Sequence, residues 1–252
     1  MKPDEILRQT AHRPWPLPKG SWVMRQTWDR LLFAHWPVPF DALRSLVPAA
    51  LELDRYDGEA WLGVVPFLMS GVRPRALPAV PWLSAFPELN VRTYVTAGGK
   101  AGVYFFSLDA GNPLAVKIAR GWFHLPYFRA RFAISQAGER TKYRSMRIHS
   151  GAPPADLDVT YRPTDAAYAS THGSLDTFLT ERYCLYTTDV RGRLQRGEIH
   201  HQQWPLQPAE AEFRRNTMAQ GDGLTLPDTP PLLHYARHLE VLVWPLERVA
   251  GG

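Results

Sequence analysis

Glu88 and Arg92 are two ionisable residues whose side chains could carry out chemistry on a small acid. They are four positions apart in a segment with the pattern of a β-strand, so their side chains share one face. A buried glutamate has a raised pKa and can exchange protons near neutral pH, and a buried arginine offers a planar fork for a carboxylate. A structural ion pair that orders the fold is the alternative interpretation.

Three further polar residues lie where predicted elements can present them to a pocket. Arg120 and His124 fall at the end of a predicted helix, and Arg182 lies where another predicted helix passes into a strand. Such junctions often carry binding residues, but they are equally typical of salt bridges that cap a helix. Substrate binding and a structural or solvent-facing role both stay open for these three residues.

Motifs for metal and cofactor sites are missing. Cys184 is the single cysteine, and there is no His-Glu-x-x-His helix. His200 and His201 are neighbours, so on a strand they point to opposite faces and cannot both hold one ion without a bulge. The Walker spacing and the Gly-x-Ser-x-Gly elbow are also absent. The sequence therefore predicts neither a metal nor a cofactor.

Composition and charge indicate an ordinary globular protein. Apolar residues make up 45% and charged residues 21% of the 252 residues. The net charge is +5 and the pI about 9.4, but the basic residues are dispersed, which does not favour nucleic-acid binding. The longest apolar stretch, residues 61–69, is too short for a membrane helix. The lone Cys184 and an N-terminus without a signal-peptide pattern favour a reducing cytoplasm.

Twenty-three prolines favour strands, short helices and ordered loops over long helices. We predict an extended N-terminal arm over residues 1–20 and a single domain over residues 21–252. Helices are predicted over residues 40–46, 112–123 and 174–182, with another opening at Pro208. The clearest local prediction is a β-hairpin that turns at Gly98-Gly99. About nine strands are predicted, over residues 61–69, 90–96, 102–108, 130–135, 143–148, 157–161, 183–188, 192–200 and 237–246.

Several segments together resemble the YqjF-like family of uncharacterised proteins, which is related to the acetoacetate decarboxylase-like superfamily. The resemblance extends from about Trp22 to the end of the chain. Its most specific segments are residues 32–39, 88–94, 102–109, 179–183, 191–201 and 240–246. The function of the YqjF-like family is not settled, so the resemblance implies a fold and a pocket position more than an activity.

The resemblance implies a strand-rich α+β fold, a curved and mostly antiparallel cone or barrel with a few peripheral helices and an internal cavity. In the decarboxylases, a segment similar to residues 120–128 supplies a Schiff-base lysine and a neighbouring lysine that lowers its pKa. Tyr127 and Phe128 occupy the similar positions here, and neither can form an imine. Lys117, on the predicted helix, is the only nearby lysine. We therefore expect no Schiff-base decarboxylase.

The resemblance also implies that Glu88 is the carboxylate of the pocket and leaves Tyr127 as a hydrogen-bond donor to a carbonyl or enolate oxygen. The first hypothesis is thus a cofactor-independent lyase, hydratase or tautomerase that acts on a small keto or enol acid, with Arg92 or Arg120 binding the carboxylate. The alternatives are a non-catalytic module that binds a small acid, or an interaction with nucleic acid or protein. The related decarboxylases form large oligomers, so a homo-oligomer stays open.

Overall fold

Strands dominate the fold, as the sequence predicts, and the helices are short. The computed structural model describes residues 1–80 and 83–249. In this part of the chain no helix is long and apolar enough to cross a membrane. The helices are α1 (Pro3–Arg8), α2 (Phe40–Arg44), α3 (Pro113–Phe123), α4 (Leu175–Thr180) and α5 (Met218–Gly221). The strands are β1 (Met24–Val38), β2 (Glu52–Leu53), β3 (Ala60–Pro74), β4 (Phe86–Ala97), β5 (Lys100–Ala110), β6 (Tyr127–Ala137), β7 (Arg140–Arg147), β8 (Asp156–Pro163), β9 (Cys184–Thr188), β10 (Leu194–His200), β11 (Leu206–Asn216) and β12 (Leu232–Arg248).

Seven strands form a closed ring, in the order β12, β1, β3, β4, β5, β9, β10 and back to β12. All of these pairs are antiparallel except β5 with β9, which run parallel. Side chains alternate across a strand, so every second residue of the ring points to its inside. This arrangement is the mostly antiparallel cone that the resemblance implies.

The other large strands, β6, β7, β8 and β11, form a second layer. β6 joins the ring through a short parallel pairing with β5, and β11 through an antiparallel pairing with β12. The inner face of this second layer and the outer face of the ring share one buried cluster. Tyr143 and Val159 of the second layer belong to it together with Val64 and Val91 of the ring. The main apolar core therefore lies outside the ring, and the ring interior is a separate environment.

The β4–β5 hairpin and the helix α3 confirm the two most specific local predictions. Gly98 and Gly99 turn the hairpin with φ values of +57° and +72°, a region that glycine enters without steric cost. At the start of α3, the backbone N–H of Leu114 donates to the side-chain oxygen of Asn112 over 3.0 Å, as expected for an N-cap residue.

The prediction of a helix from Pro208 is wrong, because this segment forms β11. Glu210 pairs with Arg162 on the adjacent strand β8, not with Arg214 on its own element. Apolar residues at positions 209, 211 and 213 alternate with charged residues, and this period of two prevails over the helix-start signal of the proline. The two neighbouring strands supply the partners that the pattern requires.

The N-terminal arm differs from the prediction in one part, since residues 3–8 form α1 instead of an extended chain. Pro3 occupies the first turn, and the Glu5 carboxylate accepts the backbone N–H of Lys2 over 2.9 Å. Ile6 is buried against Trp244 of β12. This apolar anchor explains why a short helix is stable at the start of the chain.

The parallel contact between β5 and β9 depends on the absence of a side chain at Gly102. A Cβ atom at this position would lie 2.6 Å from the carbonyl oxygen of Cys184 and 2.7 Å from its sulfur. Because the closest atom belongs to the backbone of the facing strand, it cannot move aside without displacing β9. Gly102 therefore permits the approach that closes the ring.

Candidate functional site

One face of β4 lines the inside of the ring with polar side chains. Among the alternate positions, Leu89, Val91 and Val95 belong to the apolar core outside the ring. By the alternation of a strand, the even-numbered residues face inward. We call these residues the polar column; they are Glu88, Asn90, Arg92 and Tyr94.

Glu88 and Tyr127 form the centre of the candidate site. The Tyr127 hydroxyl donates to a Glu88 carboxylate oxygen over 2.8 Å, although the residues are 39 positions apart. The parallel pairing of Tyr127 with Leu108 brings β6 to this position. Both side chains are buried, and Leu125 and Ala110 pack around the tyrosine. A carboxyl group and a phenol thus meet in an apolar environment.

Burial controls the protonation of this pair. It raises the pKa of Glu88 to about 8, although the hydrogen bond from Tyr127 opposes the change. Burial also raises the pKa of Tyr127 well above its usual value, and the nearby carboxylate adds to the effect. At neutral pH both groups are therefore mainly uncharged, and Glu88 can gain or lose a proton within the physiological range.

Arg92 shares the face of Glu88, as predicted, but contacts other groups. Its Nη2 donates to the carbonyl oxygen of Leu179 over 3.2 Å, and its guanidinium lies 5.2 Å from the ring centroid of Phe33. Glu88 and Arg92 are four positions apart on an extended strand, so their Cα atoms are about 13 Å apart. Among the described residues no ion pair joins the two. The structural ion pair considered from the sequence is therefore not formed.

Buried polar atoms inside the ring that lack a hydrogen-bond partner among the described residues include Asn90 Oδ1, Arg92 Nε and His35 Nδ1. His35 Nε2 lies 2.6 Å from the Tyr94 hydroxyl, and burial holds the pKa of the imidazole well below its usual value. Sequence reasoning missed Asn90 and His35. The available signal was a polar residue on the same strand face as Glu88 and a histidine within an apolar run.

Arg120 and His124 both line a cleft of about 520 Å³, which we call the first cleft. Arg120 Nη1 donates to the Tyr127 carbonyl oxygen over 2.6 Å. His124 follows α3 with a φ of +50°, and its carbonyl accepts the Thr187 hydroxyl over 2.7 Å. Leu125 lines the first cleft and also belongs to the apolar cluster that contains Tyr127.

The remaining predicted residues lie apart from Glu88. Arg182 is buried, and its guanidinium pairs with Asp54 and donates to the Phe178 carbonyl oxygen. Lys117 is exposed on α3 and is not among the residues that line the first cleft. Arg182 is thus held by a structural salt bridge, the alternative that the sequence left open.

A buried charged network beside the first cleft was not predicted. Arg147 Nε pairs with Asp109 over 2.8 Å, and its Nη1 lies 3.7 Å from Asp222, which lines the first cleft. The Ser107 hydroxyl donates to Asp222 over 2.6 Å. Burial raises the pKa of Asp109 to about 7 despite the neighbouring arginine. Ser107 and Asp109 lie on β5, whereas Arg147 lies on β7 and Asp222 follows α5. These elements are far apart in the chain, so no spacing in the sequence indicates the network.

The described residues contain no group of three or more histidine, cysteine, aspartate or glutamate side chains that could hold a metal ion. His200 Nε2 lies 2.9 Å from the Ile6 carbonyl oxygen, and His201 Nδ1 lies 2.6 Å from that of Gln202. Both imidazoles therefore bind to backbone groups.

Comparison with known proteins agrees with the fold. The model of DUF2071, described as an uncharacterized conserved protein, matches residues 25–240. The uncharacterized protein YqjF of Bacillus subtilis (strain 168) is 51% identical over 232 residues, which cover 92% of this chain and 95% of YqjF.

Two solved structures share the architecture at low sequence identity. The enduracididine biosynthesis enzyme MppR complexed with pyruvate has a TM-score of 0.61 and 10% identity, with 94% of each chain covered. The acetoacetate decarboxylase of Legionella pneumophila has a TM-score of 0.60 and 13% identity, with 95% of this chain and 94% of that chain covered. Similarity at this level concerns the fold.

Proposed function

Since this chain belongs to the DUF2071 family and has an acetoacetate decarboxylase-like fold, we propose that it is a cofactor-independent enzyme that transfers protons on a small oxo acid. Its reaction class is that of a tautomerase, hydratase or lyase. The proposal rests on the buried hydrogen bond between Tyr127 and Glu88, which brings together a phenolic donor and a carboxyl group with a pKa of about 8.

In the proposed step, ionised Glu88 removes a proton from the carbon next to the carbonyl group of the substrate. Tyr127 donates a hydrogen bond to the carbonyl oxygen, where the negative charge of the enolate develops. The electron pair of the C–H bond forms the C=C bond of the enolate, and the proton stays on Glu88 until it returns to carbon or passes to solvent. A pKa near the working pH supplies both protonation states of the base.

The other groups bind the substrate. Arg92 lies on the face of Glu88 with a buried N–H that lacks a partner among the described residues, so it can donate to a carboxylate. Arg120 and His124 line the first cleft, where the Arg120 guanidinium attracts the anion. Arg182 has no role in this step, because Asp54 already neutralises it.

Proton exchange between a 2-oxo acid and deuterated water tests the proposal directly. MppR binds pyruvate in its structure, and this guides the choice of pyruvate and 2-oxobutyrate as probes. We expect the protein to accelerate the loss of their C3 proton signals in NMR spectra, with a rate that rises as the pH passes through about 8. Glu88→Gln should abolish the acceleration, and Tyr127→Phe should reduce it by about tenfold or more.

The matched control is Glu59→Gln, which removes the charge of an exposed glutamate. It should exchange protons at the rate of the unmodified protein. Unchanged exchange in a folded Glu88→Gln protein would contradict the assigned role, and absence of exchange with every oxo acid tested would contradict the enzyme proposal.

A Schiff base is not part of this mechanism, because Tyr127 and Phe128 stand where the decarboxylases carry lysines. We expect no mass increase after incubation with acetoacetate and borohydride. A reduced adduct on Lys117 would overturn this expectation and would make that exposed residue the nucleophile.

One observation favours a second candidate function, binding of a small acid without turnover. Neither Glu88 nor Tyr127 is among the residues that line the first cleft, whereas Arg120 and His124 are. Titration calorimetry with the same oxo acids separates the two functions. Saturable binding that Arg120→Gln weakens, without proton exchange, would support this candidate.

A further inference from the structure

A second cleft, of about 680 Å³, lies where β1, β3 and β12 run side by side. It shares no lining residue with the first cleft. Arg30, Asp29 and His238 provide its polar side, and Leu68 and Phe86 are part of its apolar side. We call it the second cleft. A cavity of this size with an apolar wall and few polar groups is typical of a small-molecule site.

The backbone at Arg30 adopts a conformation that arginine rarely takes. Its φ is +53°, within an irregular stretch of the β1–β3 pairing between Asp29 and Ala34. The Tyr161 hydroxyl donates to the Arg30 carbonyl oxygen over 2.7 Å and so fixes this conformation from the second layer. Strained backbone that the surrounding structure maintains in this way is concentrated at binding sites.

The charges around the second cleft leave one cation without a partner. Asp29 accepts the Ser70 hydroxyl over 2.9 Å and lies 2.7 Å from His238 Nδ1, and Arg237 pairs with Glu139. The Arg30 guanidinium forms no ion pair or side-chain hydrogen bond with any described residue, although the residue is half-buried. A half-buried cation of this kind is suited to an anionic ligand.

We propose that the second cleft binds a small carboxylic acid with an apolar body, such as an aromatic or branched-chain acid. The two carboxylate oxygens accept parallel hydrogen bonds from the Arg30 guanidinium. The apolar body packs on Leu68 and Phe86. Because Ser70 and His238 already form hydrogen bonds with the Asp29 carboxylate, Asp29 repels the bound anion less than a carboxylate without partners would.

Phenylacetate is a suitable probe, and phenylacetamide is its uncharged counterpart. By titration calorimetry at low salt we expect saturable binding of phenylacetate and binding of the amide that is weaker by about tenfold or more. Arg30→Gly should weaken the binding of phenylacetate to a similar extent. Glycine accepts a φ of +53° without strain, so this variant should remain folded, with a melting temperature at or above that of the unmodified protein.

Two further variants separate this site from the one proposed above. Arg120→Gln changes the first cleft and Glu88→Gln the ring interior, and both should bind phenylacetate as the unmodified protein does. Equal binding by Arg30→Gly would overturn the proposal, as would loss of binding in Arg120→Gln or absence of binding at millimolar phenylacetate. None of these results depends on whether the protein exchanges protons on oxo acids.

Discussion

Replacing Glu88 with glutamine should stabilise the protein at alkaline pH and leave its stability almost unchanged in mild acid. Glutamine keeps the shape of the side chain, and its carbonyl oxygen can accept the same hydrogen bond from Tyr127. It cannot ionise. The substitution therefore removes only the free-energy cost of holding an ionisable carboxyl group in an apolar environment.

The magnitude follows from the pKa of Glu88, which burial raises from 4.5 to about 8. Each factor of ten in proton affinity corresponds to about 1.4 kcal/mol, so the full effect is about 5 kcal/mol. Below pH 4.5 the carboxyl group is protonated in both the folded and the unfolded chain, and it makes no difference to stability. As the pH rises from there to about 8, only the unfolded chain ionises, and the folded protein loses stability.

Urea denaturation of both proteins at a series of pH values measures this difference. The free energy of unfolding of Glu88→Gln, minus that of the unmodified protein, should rise from near zero in mild acid to about 5 kcal/mol above pH 8. Other titrating groups are common to both proteins and cancel. Glu59→Gln, at an exposed position, should show no such trend. A difference that stays constant with pH would refute the assignment of a buried, protonated Glu88.

Three further predictions concern the framework of the site. Gly102→Ala should lower the free energy of unfolding by about 1–3 kcal/mol, because the added methyl group clashes with the facing strand. Gly121→Ala is the matched control in a helix, where a methyl group has open space, and it should raise the free energy of unfolding by about 0.5–1 kcal/mol. Above neutral pH, Arg147→Met should cost about 3–5 kcal/mol in the same urea denaturation assay, because it leaves the buried Asp109 carboxylate without its arginine partner. The matched change at the half-exposed Arg144, Arg144→Met, should cost about 1 kcal/mol or less. Burial lowers the pKa of His201 from 6.5 to about 3, so below pH 6.5 the unfolded chain binds a proton that the folded protein does not, and stability should fall. His201→Gln should reduce this loss in acid titrations followed by tryptophan fluorescence.

Local signals predicted the elements that local interactions determine. The β4–β5 hairpin follows from two adjacent glycines between alternating strands, and α3 follows from Asn112 placed before a proline. β11 was mistaken for a helix because Pro208 is a strong local signal, while the competing strand pattern depends on two distant partners. β1 was not among the predicted strands, and the positive φ of Arg30 interrupts the alternation of its side chains between the two faces of the sheet. Long-range pairing was thus the part that one sequence could not supply.

The candidate site shows the same division. The shared face of Glu88 and Arg92 was predictable from strand geometry, but their separation of about 13 Å keeps them from forming a pair. The position of Tyr127 followed from the resemblance to the decarboxylases. Its contact with Glu88 joins residues that are 39 positions apart, and it depends on the parallel pairing of β5 with β6. Asn90 and His35 were missed, since a single polar residue among apolar neighbours looks like part of the core.

The free energy that Glu88 costs the fold also bears on its role. A residue with a purely structural function is expected to stabilise the protein near neutral pH, yet a buried carboxyl group with a pKa of about 8 weakens it as soon as the unfolded chain ionises. Groups that reduce stability are concentrated where a protein needs their chemistry. Measured together, stability and proton exchange of Glu88→Gln therefore separate the possibilities: a stabilised protein without exchange supports a base, and a stabilised protein with unchanged exchange leaves Glu88 outside the reaction.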